Sequence, residues 1–136
     1  MFMYTFTSYK NVNDIIYKGI NGANQTMIME FEKWYHELNN QDIYFIKFYV
    51  ANKRKQGYKF REQTGRDGIK SLLWAKRCLI DFISNKINTN KENIITVFWD
   101  DKKRRDVYIR GLKHLGFKLQ KDSGREALVL KINKTV

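Results

Sequence analysis

Residues 94–99, IITVFW, carry no charge, and every one of the six is β-branched or aromatic. A run of that kind reads as a strand covered on both faces by helices, because a strand with one wet face alternates apolar and polar residues. The neighbouring segments supply the helices. From Ile69 onward Leu72, Ala75, Leu79, Phe82 and Ile83 fall on one helical face, with Lys70, Arg77, Asp81 and Ser84 opposite, which predicts a helix packed on a sheet. After the strand, DDKKRRD opens a second helix whose Val107, Leu112 and Leu115 turn inward and whose stop is Gly116.

The remaining segments extend the layer. DIYFIKFYVA (42–51) is too apolar for an exposed loop and reads as a buried strand. NKRKQG is its turn, and YKFRE (58–62) pairs back as a hairpin partner. FKLQKD and ALVLKI are strands around the turn SGR. At the N-terminus Met1–Thr7 alternates as a strand. Tyr9, Val12, Ile15 and Ile16 then fall at helical spacing, NGAN (21–24) is a loop, and Ile28, Phe31, Tyr35 and Leu38 predict a second helix ending near Asn39 and Asn40. The order is that of an α/β fold, a mixed, mostly antiparallel sheet flanked by helices, in which strands joined by a crossover helix are parallel. Its 136 residues suit one domain, 1–136.

Charge bounds the partners. Lysine and arginine total 26 against 14 carboxylates, a net +12, and the excess is lopsided: residues 1–50 hold four lysines against five carboxylates. The basic remainder calls for an anionic partner such as nucleic acid, an acidic protein surface or a phosphorylated cofactor, or it is a solvated surface. With no proline, one cysteine and no apolar run of about 20 residues, a disulfide framework and a membrane-spanning helix are not expected. The opening MFMYTFTSYK does not read as a signal peptide, so a cytoplasmic setting is expected, and the lysine-rich composition suits a phage or mobile-element product. Cys78 sits in an apolar helical pattern and reads as a packing residue. His36 and His114 have no metal-ligand neighbour at useful spacing, so no metal site is expected. Asp100 and Asp101 read as caps of the helix that follows.

The glycine-bearing loop that opens the first long helix, TGRDGIK (64–70), together with GF at 116–117, resembles the GNAT superfamily of acyl-CoA-dependent N-acyltransferases, best over residues 58–119. The resemblance implies a GNAT-like fold that moves an acyl group, most simply acetyl, from acetyl-CoA to an amine. It implies that backbone N–H groups of the loop hold the coenzyme A pyrophosphate, with Gln63, Gly65, Arg66, Gly68, Ile69 and Lys70 as the cofactor-binding set. The two glycines here are three apart where the family has them two apart, and Asp67 stands where phosphate would approach. The family also places a tyrosine four residues before the glycine of GF to protonate the leaving thiolate. Leu112 occupies that position and Tyr108 lies one helical turn earlier, so Tyr108 is the candidate acid or else a helix aromatic. The candidate base is Glu62, or a water with Glu62 merely solvated.

The alternative takes the charge literally: a catalytically inactive, basic GNAT-like scaffold that binds nucleic acid or an acidic protein. Lys53, Arg54, Lys55 and Tyr58 interleave bases with an aromatic ring, and Lys102, Lys103, Arg104 and Arg105 open a helix whose dipole opposes them.

Overall fold

A computed structural model describes residues 7–11, 14–20, 22, 24–36, 40–51, 58–59, 68–99, 102–122 and 124–135. Among them are strands β1 (Thr7–Asn11), β2 (Asp14–Ile20), β3 (Thr26–His36), β4 (Gln41–Ala51), β5 (Tyr58–Lys59), β6 (Glu92–Val97), β7 (Lys118–Asp122) and β8 (Arg125–Ile132). The helices are α1 (Gly68–Asn85) and α2 (Lys102–Leu112). The hydrogen-bonded order is β1-β2-β3-β4-β6-β8-β7, with β5 pairing β4 off that path. β4 and β6 are parallel, while β1–β2, β2–β3, β4–β5, β6–β8 and β7–β8 are antiparallel. The fold is therefore α/β with a mixed sheet. No described helix is long and apolar enough to cross a membrane.

The two N-terminal helices expected from periodicity are strands instead. Tyr9 lies in β1, Ile15 and Ile16 in β2, and Ile28, Phe31 and Tyr35 in β3, whereas Val12 and Leu38 lie outside the described residues. The three- and four-residue recurrence in 28–38 is coincidental with a period of two: Met27, Met29 and Phe31 are 0%, 3% and 0% exposed. Their register partners are Gly19, Tyr17 and Ile15. Cross-strand packing overrides the helical pattern here, because β-branched and aromatic residues suit a pleated, buried surface. Asn24 and Asn40, with φ of 61° and 50°, occupy the left-handed region at the turns before β3 and β4, where asparagine is tolerated. The helix end expected near Asn39 and Asn40 is thus a turn ahead of β4 at Asn40, and Asn39 lies outside the described residues. Met1–Phe6 lie outside the described residues.

The chain divides into two compact units. The first comprises Met1–Phe31 and Lys47–Lys86. Its core is α1 laid on strand side chains: Phe82 stacks on Phe31 with centroids 3.8 Å apart, Phe31 meets Tyr17 edge-on, and Trp74 lies 6.0 Å from Phe48. The buried stripe is Trp74, Ala75, Cys78, Leu79 and Phe82, displaced from the expected one because Leu72 and Ile83 are only half-buried. Cys78 is a buried free thiol, as expected of a packing residue, and burial raises its pKa.

The second unit comprises Glu32–Ile46 and Ile87–Val136. One face of its strands buries Tyr44, Ile95, Val97, Leu128 and Leu130. α2 and the 3-10 turn Lys113–Leu115 that extends it lie on this face. There a Cβ on Gly116 would meet Leu130 Cδ1 at 3.3 Å. Gly116 has φ 95° and ends the helix as expected, so its backbone favours glycine, and a side chain there would also push Leu130 aside by a few tenths of an ångström. The second face differs from the reading of 94–99. It keeps Ile43, Phe45, Ile94, Phe98 and Val129 half-buried around the buried Thr96 and Ala127, and α2, whose Arg105 pairs with Glu126, lies on the other side. Among the described residues of this unit, no helix lies over that second face of β6.

Candidate functional site

α1 begins at Gly68, so Gly68, Ile69 and Lys70 of the expected cofactor-binding set occupy its first turn. The first four N–H groups of a helix have no intrahelical acceptor, and together they carry the positive end of the dipole. No acidic residue stands in this first turn, and Lys70 is exposed. That arrangement favours an anion. Gln63, Gly65, Arg66 and the candidate base Glu62 lie outside the described residues, as does Asp67. Tyr108 lies on α2, half-buried, one turn before the final helical residue Leu112.

The basic clusters fare unequally. Lys53, Arg54 and Lys55 lie outside the described residues, and Tyr58 is in β5 opposite Ala51. Lys102, Lys103 and Arg104 open α2 with no acidic residue in its first turn. Arg105 is engaged within the protein: its Nη1 lies 3.2 Å from Asp106 and its Nη2 lies 3.3 Å from Glu126 on β8. Asp100 and Asp101, expected as caps, lie outside the described residues. Among the described residues no group of three His, Cys, Asp or Glu side chains is placed to hold a metal ion.

Two carboxyl sites went unnoticed in the sequence. Asp42, at the head of β4, is fully buried with Lys33 Nζ and Lys91 Nζ each 3.6 Å from its carboxylate. Its register partner in the parallel pair is Asn93, also fully buried, whose amide donates to the carbonyls of Asn88 (2.8 Å) and Lys91 (3.1 Å). Neither Asp42 oxygen accepts a hydrogen bond at ideal reach, so the two lysines supply the compensation a buried carboxylate requires. Burial and the adjacent Asp42 charge push the Tyr44 phenol up to about 12. The visible signal was a charge opening an otherwise apolar strand.

The second site is Glu30, which accepts a hydrogen bond from the Tyr49 hydroxyl at 3.3 Å. Burial first, and then the hydrogen bond it shares with the Asp14 carboxyl, raise its pKa above the ordinary 4.5. A carboxyl with a raised folded pKa binds its proton more tightly when folded. Its contribution to stability is present at low pH and is lost as pH rises through the folded value. Glu30→Gln, which fixes the neutral form, is therefore expected to raise the urea midpoint relative to the parent at about pH 8 and to leave it nearly unchanged at about pH 4. A Gln variant weaker than the parent at pH 8 would show that the ionised carboxylate is the form held there.

Elsewhere the Tyr17 hydroxyl donates to Asp81 at 2.7 Å, and Asn85 donates to the other Asp81 oxygen at 2.9 Å. This links α1 to β2 and raises the Tyr17 pKa, chiefly through burial. No protein-family pattern, curated protein or solved structure matches this chain.

Proposed function

We propose that the protein is a GNAT-like N-acyltransferase that takes an acyl group, most simply acetyl, from a coenzyme A thioester and delivers it to an amine. The observation that carries this reading is the order from residue 41 onward: the β4–β5 hairpin, α1, β6 parallel to β4, α2, then the β7–β8 hairpin. That order agrees with the elements expected from residue 42 onward, including residues 58–119 where the resemblance is best, with α1 opening at Gly68 where the phosphate-holding loop would end. The N-terminal strands β1 to β3 do not contribute to it.

The thioester would supply an activated acyl carbon. The chain's own groups would do the rest. Backbone N–H groups from Gly65 to Lys70, with Arg66, Lys70 and Gln63, would hold the pyrophosphate. Glu62 would take the proton from the attacking amine, and the Tyr108 hydroxyl would return one to sulfur as the carbon–sulfur bond breaks. The absence of a carboxylate from the first turn of α1 supports anion binding at this end.

Gly68→Val is expected to weaken coenzyme A binding at least tenfold in calorimetry while leaving helical circular dichroism unchanged. The cause is a branched side chain placed where the backbone must approach phosphate. Undiminished affinity in a folded Val variant would place the pyrophosphate elsewhere.

A further inference from the structure

The half-open face of the second unit has a chemistry that α2 and the acyl-transfer reading leave unused. Phe45 and Phe98 stack with centroids 5.8 Å apart and planes 13° from parallel. The Arg125 guanidinium lies 4.6 Å from the Phe98 centroid and is held there by a 2.9 Å hydrogen bond to the Trp99 carbonyl. Trp34 is 57% exposed. Its neighbour Lys33 reaches Asp42 on the covered face, so strand alternation turns Trp34 to the open one. There its indole N–H donates to Glu32 at 2.9 Å, which fixes the ring. Lys118 and Lys131 are exposed and flank Val129 on this same face, one as its register partner and the other two residues along β8. Lys131 also lies 3.6 Å from the half-buried Glu92, a pair open to solvent on its lysine side.

An apolar protein partner would bury this surface best if its rim were neutral, and it is not. An exposed indole at Trp34, an arginine plane stacked on the half-buried Phe98 ring, and the exposed Lys118 and Lys131 farther along the same face suit a ligand that is aromatic and anionic at once. Bases must be unstacked from one another to lie on such rings, which selects single strands over a duplex. The chain's net +12 adds long-range attraction to any polyanion.

We propose that this sheet face binds single-stranded nucleic acid, with bases stacking on Trp34 and on the Phe45–Phe98–Arg125 platform and with Lys118 and Lys131 taking phosphates. The site uses none of the residues of the acyl-transfer reading or of the basic cluster at 102–105, and it stands whether or not the protein transfers acyl groups.

The test is fluorescence anisotropy with labelled ten-nucleotide oligo(U) and oligo(dT) across a salt series. The parent is expected to bind, with affinity falling as salt rises. Phe98→Ala should weaken binding by about tenfold, the scale of one lost base stack. Lys118→Gln with Lys131→Gln, on exposed side chains that leave the core intact, should reduce the slope of log K against log salt by about 0.7 for each lost phosphate contact on a single strand. A folded parent that binds neither oligonucleotide at low salt overturns the proposal. So does binding that the lysine pair and the Phe98 variant leave unchanged, since the contact would then lie elsewhere. A micromolar dimer that Phe98→Ala dissociates would assign the face to a second copy of the chain and equally overturn it.

Discussion

Replacing Lys33 and Lys91 together with methionine is expected to destabilise the folded chain by about 3–5 kcal/mol, the usual cost of leaving a buried charge without its partner. Asp42 is fully buried and its carboxylate has these two ammonium groups at 3.6 Å. The lysines are about one third exposed and keep water as a second partner, so removing them harms the carboxylate far more than losing the carboxylate would harm them. Adding Asp42→Asn to the double variant should accordingly recover a large part of the loss, because a neutral amide of the same shape has no charge to compensate. Urea denaturation of the three proteins, parent, double variant and triple variant, reads both effects. If the third change gives no recovery, the damage lies in the lysines' other contacts and not in a stranded charge.

Trp74→Ala is expected to cost a similar amount, about 3–5 kcal/mol, through lost transfer energy and the cavity left beneath α1. Trp74 is fully buried in the first unit and lies beside Phe48, and Phe31 and Phe82 stack within the same core. Leu73, the adjacent residue, is 57% exposed, so Leu73→Ala should stay within about 0.5 kcal/mol of the parent. Comparable losses at the two positions would mean that α1 is rotated from the orientation described.

The contrast between Trp74 and Leu73 shows what sequence pattern conveys and where it stops. From residue 41 to the end each element announces itself. β4 is too apolar to be a loop, α1 has a clear apolar stripe, and Gly116 and Gly124, with φ of 95° and 80°, punctuate the chain where left-handed backbone is needed. Periodicity finds a helix but sets its rotation only to within a residue or so, so the expected stripe took in Leu72 and Ile83 and left out Trp74. The N-terminal third misleads for a specific reason. Ile28 is buried along with Met27 and Met29, which erases the alternation that marks a strand and leaves a pattern that fits a helix equally well.

Sites are less legible than elements, because a site joins residues that only pairing brings together. Asp42 meets Asn93 across a parallel pair whose register no local pattern encodes, and Lys33 and Lys91 arrive from two further segments. The open face eluded the sequence in another way. An uncharged run such as 94–99 reads as covered on both sides, whereas here half-buried Ile94 and Phe98 share a face with Arg125 and Lys131. The residues that motif spacing did nominate, Gly68, Ile69 and Lys70, fall together at the start of a helix.

Calorimetric titration of the whole protein with acetyl-CoA and, separately, with coenzyme A tests the central claim most directly. The account predicts saturable one-site binding of both ligands, with comparable affinities because the shared pyrophosphate supplies most of the attraction. A folded protein that binds neither would contradict it.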